Sequence, residues 1–150
     1  VRVLIASHAE KTHFLGMVPL AWALRAAGHE VMVASQPELM PTVASTGLPA
    51  VPVGHDHILH SLFDLRTNLF SGETRDDAPF ALDEEVLTPG DTPPDEYSWD
   101  ELVAEAKSSV MMWWKILNDP MVVGLTDFCR WWRPDLVVWE PLTFAAPVAA

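Results

Sequence analysis

The sequence predicts an α/β fold, a Rossmann-like parallel sheet flanked by helices. Three observations carry this: apolar runs without polar alternation at residues 1–6, 31–34, 48–53 and 136–139, helical patterns after the first two, and glycines where those helices stop. A strand covered on both faces loses the alternation of a half-exposed one, because each side chain meets a packed layer on one side or the other.

The first run, VRVLIA, leads into the loop SHAEKTHFLGM and a helix over residues 18–27. Pro19 suits its first turn, where backbone N–H groups lack helical acceptors, and Gly28 supplies the left-handed stop. Residues 31–34 return to strand, closing one βαβ unit. Ser35 and Glu38 have capping-box spacing, Pro37 fits a first turn, and the second helix should run to about residue 46, with Gly47 ending it. The run LPAVPV, residues 48–53, is a third strand whose two prolines place it short and near an edge. The order βαβαβ is half of a doubly wound sheet.

Between Glu73 and Glu101 the rhythm breaks: eleven acidic residues face one basic residue, Arg75, with four prolines among them. Such a segment cannot bury enough apolar surface to order itself and is expected to be an exposed, irregular excursion. Ser98 and Glu101 form a second capping box, opening a long helix to about residue 117. Asp119 and Pro120 read as cap and first residue of another helix, reaching residue 132. After the strand 136–139 come Glu140 and Pro141, and residues 143–150 begin a helix without a C-cap. The chain is therefore read as one domain, incomplete at its C-terminus.

The net charge of −12, with nine scattered basic residues, excludes a nucleic-acid backbone or an anionic membrane surface as partner. The longest apolar run, residues 14–24, is too short to span a bilayer, and the N-terminus lacks a signal-type pattern. A single cysteine, Cys129, cannot form an internal disulfide and suits a reducing cytoplasm. A cytoplasmic domain acting on small molecules or another protein is expected.

In such sheets ligands bind beyond the carboxyl ends of the strands, where the strand order reverses. The loop carrying His8 and His13 lies at that position. A histidine there can take a proton from a substrate hydroxyl, or can simply be a surface residue capping the next helix. Glu140, ending the last strand, would enter the same crevice if that strand lies beside the first. Its carboxylate would then fix the His13 tautomer and stabilise the imidazolium, or else act only as a helix cap.

The run GHDHILH offers His55, His57 and His60, which resemble a zinc-binding segment without the supporting cysteine or HExxH pattern. Of Trp113 with Trp114, and of Trp131 with Trp132, one member each should enter the core, since adjacent helical residues point apart. The others, with Phe63, Phe70 and the methionines of the long helix, suit an apolar ligand pocket or an interface.

The stretches THFLGMVPLAWALRAAGHEVMVAS, VPVG and FCRWWRPDLVVWEPLTFAAPVAA, with the tryptophan-rich helix, resemble the N-terminal half of bacterial antibiotic glycosyltransferases of family GT1. The likeness is to enzymes that attach deoxysugars to macrolide and other polyketide aglycones. It implies a GT-B architecture of two Rossmann-like domains, of which residues 1–150 are the acceptor-binding one and the nucleotide-sugar domain is absent. His13 then falls on the catalytic base and Glu140 where many relatives carry its aspartate partner, whereas His8 remains a loop residue. The acceptor would meet Phe14, Phe63, Phe70, Met112 and Trp113, and the donor Thr12. No metal or other cofactor is implied. The implied partners are a polyketide aglycone, a TDP-deoxysugar, an auxiliary protein related to cytochromes P450 docking near the acidic excursion and the WDELV helix, and a second copy of the chain. The alternatives are a metal-dependent hydrolase built on His55, His57 and His60, and a non-catalytic domain that binds a ligand or a partner.

Overall fold

The computed structural model describes residues 1–59, 61, 97–109 and 114–150. Within them β1 (Arg2–Ala6), β2 (Glu30–Ser35), β3 (Ala50–Pro52) and β4 (Leu136–Trp139) form one parallel sheet in the order β3-β2-β1-β4. Ala6 pairs with Ala34 of β2 on one side and with Trp139 of β4 on the other. The chain first builds leftward from β1 and later adds β4 on its right, so the strand order reverses at β1. The crevice expected of a doubly wound sheet thus opens beyond the ends of β1 and β4.

The helices are α1 (Lys11–Leu15), α2 (Val18–Ala26), α3 (Met40–Ser45), α4 (Trp99–Ser109), α5 (Leu117–Trp132) and α6 (Ala145–Ala149). Strand side chains alternate between faces, so β1 serves two cores. Val3 and Ile5 pack with Val31, Val33, Phe14, Ala21 and Val43 on one face. Leu4 and Ala6 pack with Met121, Leu125, Trp132, Ala145 and Ala146 on the other. Burying the Val, Leu, Ile, Phe and Met side chains among these stabilises the fold by roughly 1.5–3 kcal/mol each. A polar residue at any of positions 3 to 6 would therefore wound one of two helix layers.

Local signals explain most of the boundaries. At the end of α2, Gly28 (φ 86°) lets its N–H reach the Arg25 carbonyl and that of His29 reach Leu24, a Schellman stop. The Ser98 and Glu101 box forms as expected, with the Ser98 N–H donating to Glu101 at 2.7 Å and the Glu101 N–H to Ser98 Oγ at 3.3 Å. β3 is short and at an edge, as its prolines require. Trp132 is in the core and Trp131 is 76 % exposed, dividing that pair as helical geometry demands. No helix among the described residues is long and apolar enough to cross a membrane.

Several boundaries differ from expectation. Ser35 is the last residue of β2 rather than a cap, and a 3-10 turn, Pro37–Leu39, precedes α3. The Glu38 N–H is instead satisfied by Asp56 Oδ1, 2.6 Å away on the loop after β3, so a distant carboxylate replaces the local hydroxyl. α5 begins at Leu117, with Pro120 inside it. A π-type turn at residues 114–116 leads into that helix and absorbs the irregularity that a proline without an N–H introduces. β4 was expected to be covered on both faces but stands at the edge of the described sheet, with Leu136 and Trp139 exposed. The acidic run from residue 73 to 96 lies outside the described residues.

The tightest backbone approach is between α5 and the turn after β3. A Cβ on Gly54 (φ 65°) would sit 1.9 Å from the Pro120 carbonyl oxygen, and one on Gly124 would sit 2.4 Å from the Gly54 nitrogen. Gly28 also has positive φ, but open space surrounds it. Gly54→Ala is therefore expected to cost about 2 kcal/mol or more, and Gly28→Ala only about 1 kcal/mol of backbone strain. Thermal denaturation checks this; equal losses of Tm would contradict the packing argument.

Candidate active site

Two buried polar side chains and one turn position the site. Beyond β1 the chain passes Ser7 and His8, and the Ala9 N–H donates to Gln36 Oε1 at 2.6 Å. The Gln36 amide in turn donates to the Leu117 carbonyl at 2.8 Å, tying the loop after β1 to the start of α5. The Glu10 carbonyl accepts from the His13 and Phe14 N–H groups, and the α1 turn drives Phe14 into the core. On the other side of the crevice, Asn118 of α5 donates to the Leu142 carbonyl and accepts from the Ala145 N–H, both at 3.0 Å. This fixes the turn that follows Glu140.

Glu140 is the centre of the arrangement. Its Oε1 lies 2.7 Å from His8 Nδ1 and also accepts from the Thr143 hydroxyl. Its Oε2 lies 2.8 Å from His13 Nδ1 and accepts from the Leu142 N–H at 2.9 Å. Burial by itself raises the Glu140 carboxyl, but the hydrogen bonds of His8, Thr143, the Leu142 N–H and His13 outweigh it and hold the group at about 2, below an ordinary 4.5. The carboxylate is thus ionised at neutral pH and accepts from both histidines. With Nδ1–H of His13 committed to Glu140, Nε2 is the nitrogen with a free lone pair. The His13 side chain is 33 % exposed against 4 % for Glu140, so the basic nitrogen belongs to the one member of the pair that solvent and ligands can reach.

The structure therefore brings His13 and Glu140 together across 127 positions of sequence. It corrects two expectations. His8 is no surface loop residue: it is fully buried, its ring centroid 4.7 Å from that of His13, and it shares the same carboxylate. Phe14 cannot line an acceptor surface, because its ring is fully enclosed beneath β1 and β2. Thr12 is exposed and lines a cleft of about 280 Å³ with residues 9–11, Glu38 and Leu39. Phe63, Phe70, Met112, Trp113 and His60 lie outside the described residues. The neighbouring Trp114 is described, stacked on Phe144 at 4.7 Å beside Thr143.

The histidine-rich run does not converge on a metal among the described residues. Gly54 bends the chain, His55 turns to solvent with its ring on the Asp56 carbonyl, and His57 is buried with Nε2 3.8 Å from Glu10. Neither His55 nor His57 belongs to a metal-like grouping among the described residues, and His60, the third member of the run, lies outside them. The grouping with metal-like spacing is His8, His13 and Glu140, whose polar atoms lie within 4.8 Å of one another.

Gln36, Asn118 and Thr143 were not singled out by sequence reasoning. Only Thr143 carried a local signal, a hydroxyl three residues beyond a carboxylate. Gln36 acts through partners 27 and 81 positions away and Asn118 through partners 24 and 27 away, which no local pattern encodes.

Residues 22–150 match the family described as erythromycin biosynthesis protein CIII-like, N-terminal domain. The chain is 46 % identical over 152 residues to 10-deoxymethynolide desosaminyltransferase of Streptomyces venezuelae, an alignment covering 100 % of this chain and 33 % of that one. It is 45 % identical over 155 residues to erythronolide mycarosyltransferase of Saccharopolyspora erythraea, covering 100 % and 34 %. Among solved structures, that of glycosyltransferase VinC in complex with DTDP superposes with a TM-score of 0.69 at 34 % identity, covering 100 % of this chain and 32 % of that one. The chain thus spans about a third of the length of these relatives, the Rossmann-like N-terminal domain of a GT-B fold.

The low Glu140 value has a consequence for stability. A carboxylate whose folded-state value is depressed stabilises the fold fully above its ordinary value of 4.5, and that contribution disappears as pH falls toward about 2. The Tm difference between the natural protein and Glu140→Gln is therefore expected to close as pH falls from 4.5 to about 2. A difference that stayed constant through that window would show that the carboxylate charge does not stabilise the fold.

Proposed function

The chain belongs to the family of erythromycin biosynthesis protein CIII-like N-terminal domains, and from that premise we propose that it is the acceptor-binding part of an inverting antibiotic glycosyltransferase. The reaction moves a deoxysugar from a TDP-sugar to a hydroxyl of a polyketide aglycone. The observation that carries this reading is the His13–Glu140 pair at the reversal point of the sheet, with its one reachable basic nitrogen on His13.

In the proposed step the acceptor hydroxyl gives its proton to His13 Nε2. Its oxygen bonds to the anomeric carbon as the bond to the diphosphate breaks on the opposite face, inverting that centre. Glu140 stays ionised and stabilises the imidazolium; such a positioned base contributes on the order of 10²–10⁴ in rate. The Trp114–Phe144 stack supplies apolar surface beside the turn that holds Glu140, in keeping with a large, weakly polar acceptor. Thr12, on the cleft wall, is proposed to face the donor sugar. The nucleotide belongs, in this reading, to a second domain in the portion of the relatives that the chain does not cover. Trp99 and Leu102, exposed on α4, support a contact with an auxiliary protein related to cytochromes P450, which co-purification would test.

In the full-length enzyme, His13→Ala is expected to lower kcat by roughly 10²–10⁴ with the circular dichroism spectrum unchanged. Turnover within threefold of the natural enzyme would refute the base role. Ligand or partner binding without any sugar transfer would favour the non-catalytic alternative.

A further inference from the structure

His8 is fully enclosed, its ring is in contact distance of His13, and it takes no part in the transfer step described above. Its Nδ1 faces an ionised carboxylate oxygen at 2.7 Å, so Nδ1 carries the hydrogen and donates it. Its Nε2 is buried and meets no hydrogen-bond partner among the described residues. A lone pair there costs less than an unsatisfied N–H, which favours the same Nδ1–H tautomer.

Glu140 then receives four donors on two oxygens: His8 and Thr143 on Oε1, and His13 and the Leu142 N–H on Oε2. A carboxylate offers about four such positions, so the set is full. Of the two histidine donors, only the His13 ring is partly exposed, so its second nitrogen is the one a ligand can reach.

We propose that His8 is a positioning residue for the base, acting on His13 through Glu140. By occupying Oε1 it holds the carboxylate in one rotation with Oε2 turned to His13, and it draws part of the negative charge to its own side. For its catalytic consequence the inference rests on the base role proposed for His13. A carboxylate that loses one donor interacts more strongly with those that remain, so without His8 the imidazolium of His13 persists to higher pH. Among the described residues, the other titratable or charged groups around the pair are His57 on the loop after β3, its ring centroid 6.4 Å from that of His8, Glu10 beside His57, and Lys11 on α1 itself.

The test is an NMR titration of the histidine rings in the intact protein, with His8→Leu, His8→Gln and His8→Asn compared. Asparagine sets its amide nitrogen near the position of Nδ1 and keeps the donor to Oε1. Glutamine sets it nearer Nε2 and loses that donor. The His13 midpoint is expected to rise by about 0.5–1 unit in the Leu and Gln variants and to return to the natural value in His8→Asn. The acid limb of kcat/KM in the full-length enzyme should move the same way. A midpoint unmoved in the Leu and Gln variants, or moved equally in all three, overturns the proposal. Should His8→Leu fail to fold, the Gln and Asn pair carries the comparison. The titration needs no substrate, so its outcome is separable from failure of the transferase reading, which shows in His13→Ala alone.

Discussion

An ionised carboxylate cannot be taken out of water unless hydrogen bonds replace the lost hydration, and the arrangement around Glu140 follows from that requirement. Its partners come from the loop after β1, from α1, and from the turn between β4 and α6. A parallel sheet brings these segments together because both strands deliver their next residues to one end, and the reversal of order at β1 leaves room there. The site is thus a product of topology as much as of residue choice.

The scaffold around it is built to hold those segments still. Gln36 ties the β1 loop to α5, Asn118 ties the β4 turn to the same helix, and the two glycines let α5 lie directly on the backbone after β3. The same helix therefore references both sides of the crevice. The loop carrying His13 and the turn carrying Glu140 are thus both tied to α5 through buried amides.

Much of this was legible from residues 1–53 and 136–140, because periodicity, glycine stops and proline positions are local properties. The apolar runs identified all four described strands, and Glu140 could be placed opposite His13 by assuming that β4 adjoins β1. Boundaries failed where a distant group did the local work, as when Asp56 rather than Ser35 satisfied the turn before α3. His8 was misread for a related reason: a histidine just past a strand looks exposed until the carboxylate that encloses it is known. Phe14 illustrates the converse, since one short helical turn decides whether the aromatic beside His13 faces the crevice or the core. The sequence likeness to glycosyltransferases supplied roles that no spacing could, and the family match supports the fold they require.

His13 and Glu140, hydrogen-bonded at the crevice, are separated by 127 positions of sequence. This bears on recombination between related enzymes. A crossover placed anywhere between those positions joins an imidazole from one parent to a carboxylate from the other, along with that parent's turn and its side-chain length. Exchanges confined to the segment between them, keeping both flanks from a single parent, preserve the pair intact. Segment-swapped hybrids should therefore be designed as insertions rather than as single-junction fusions within this domain.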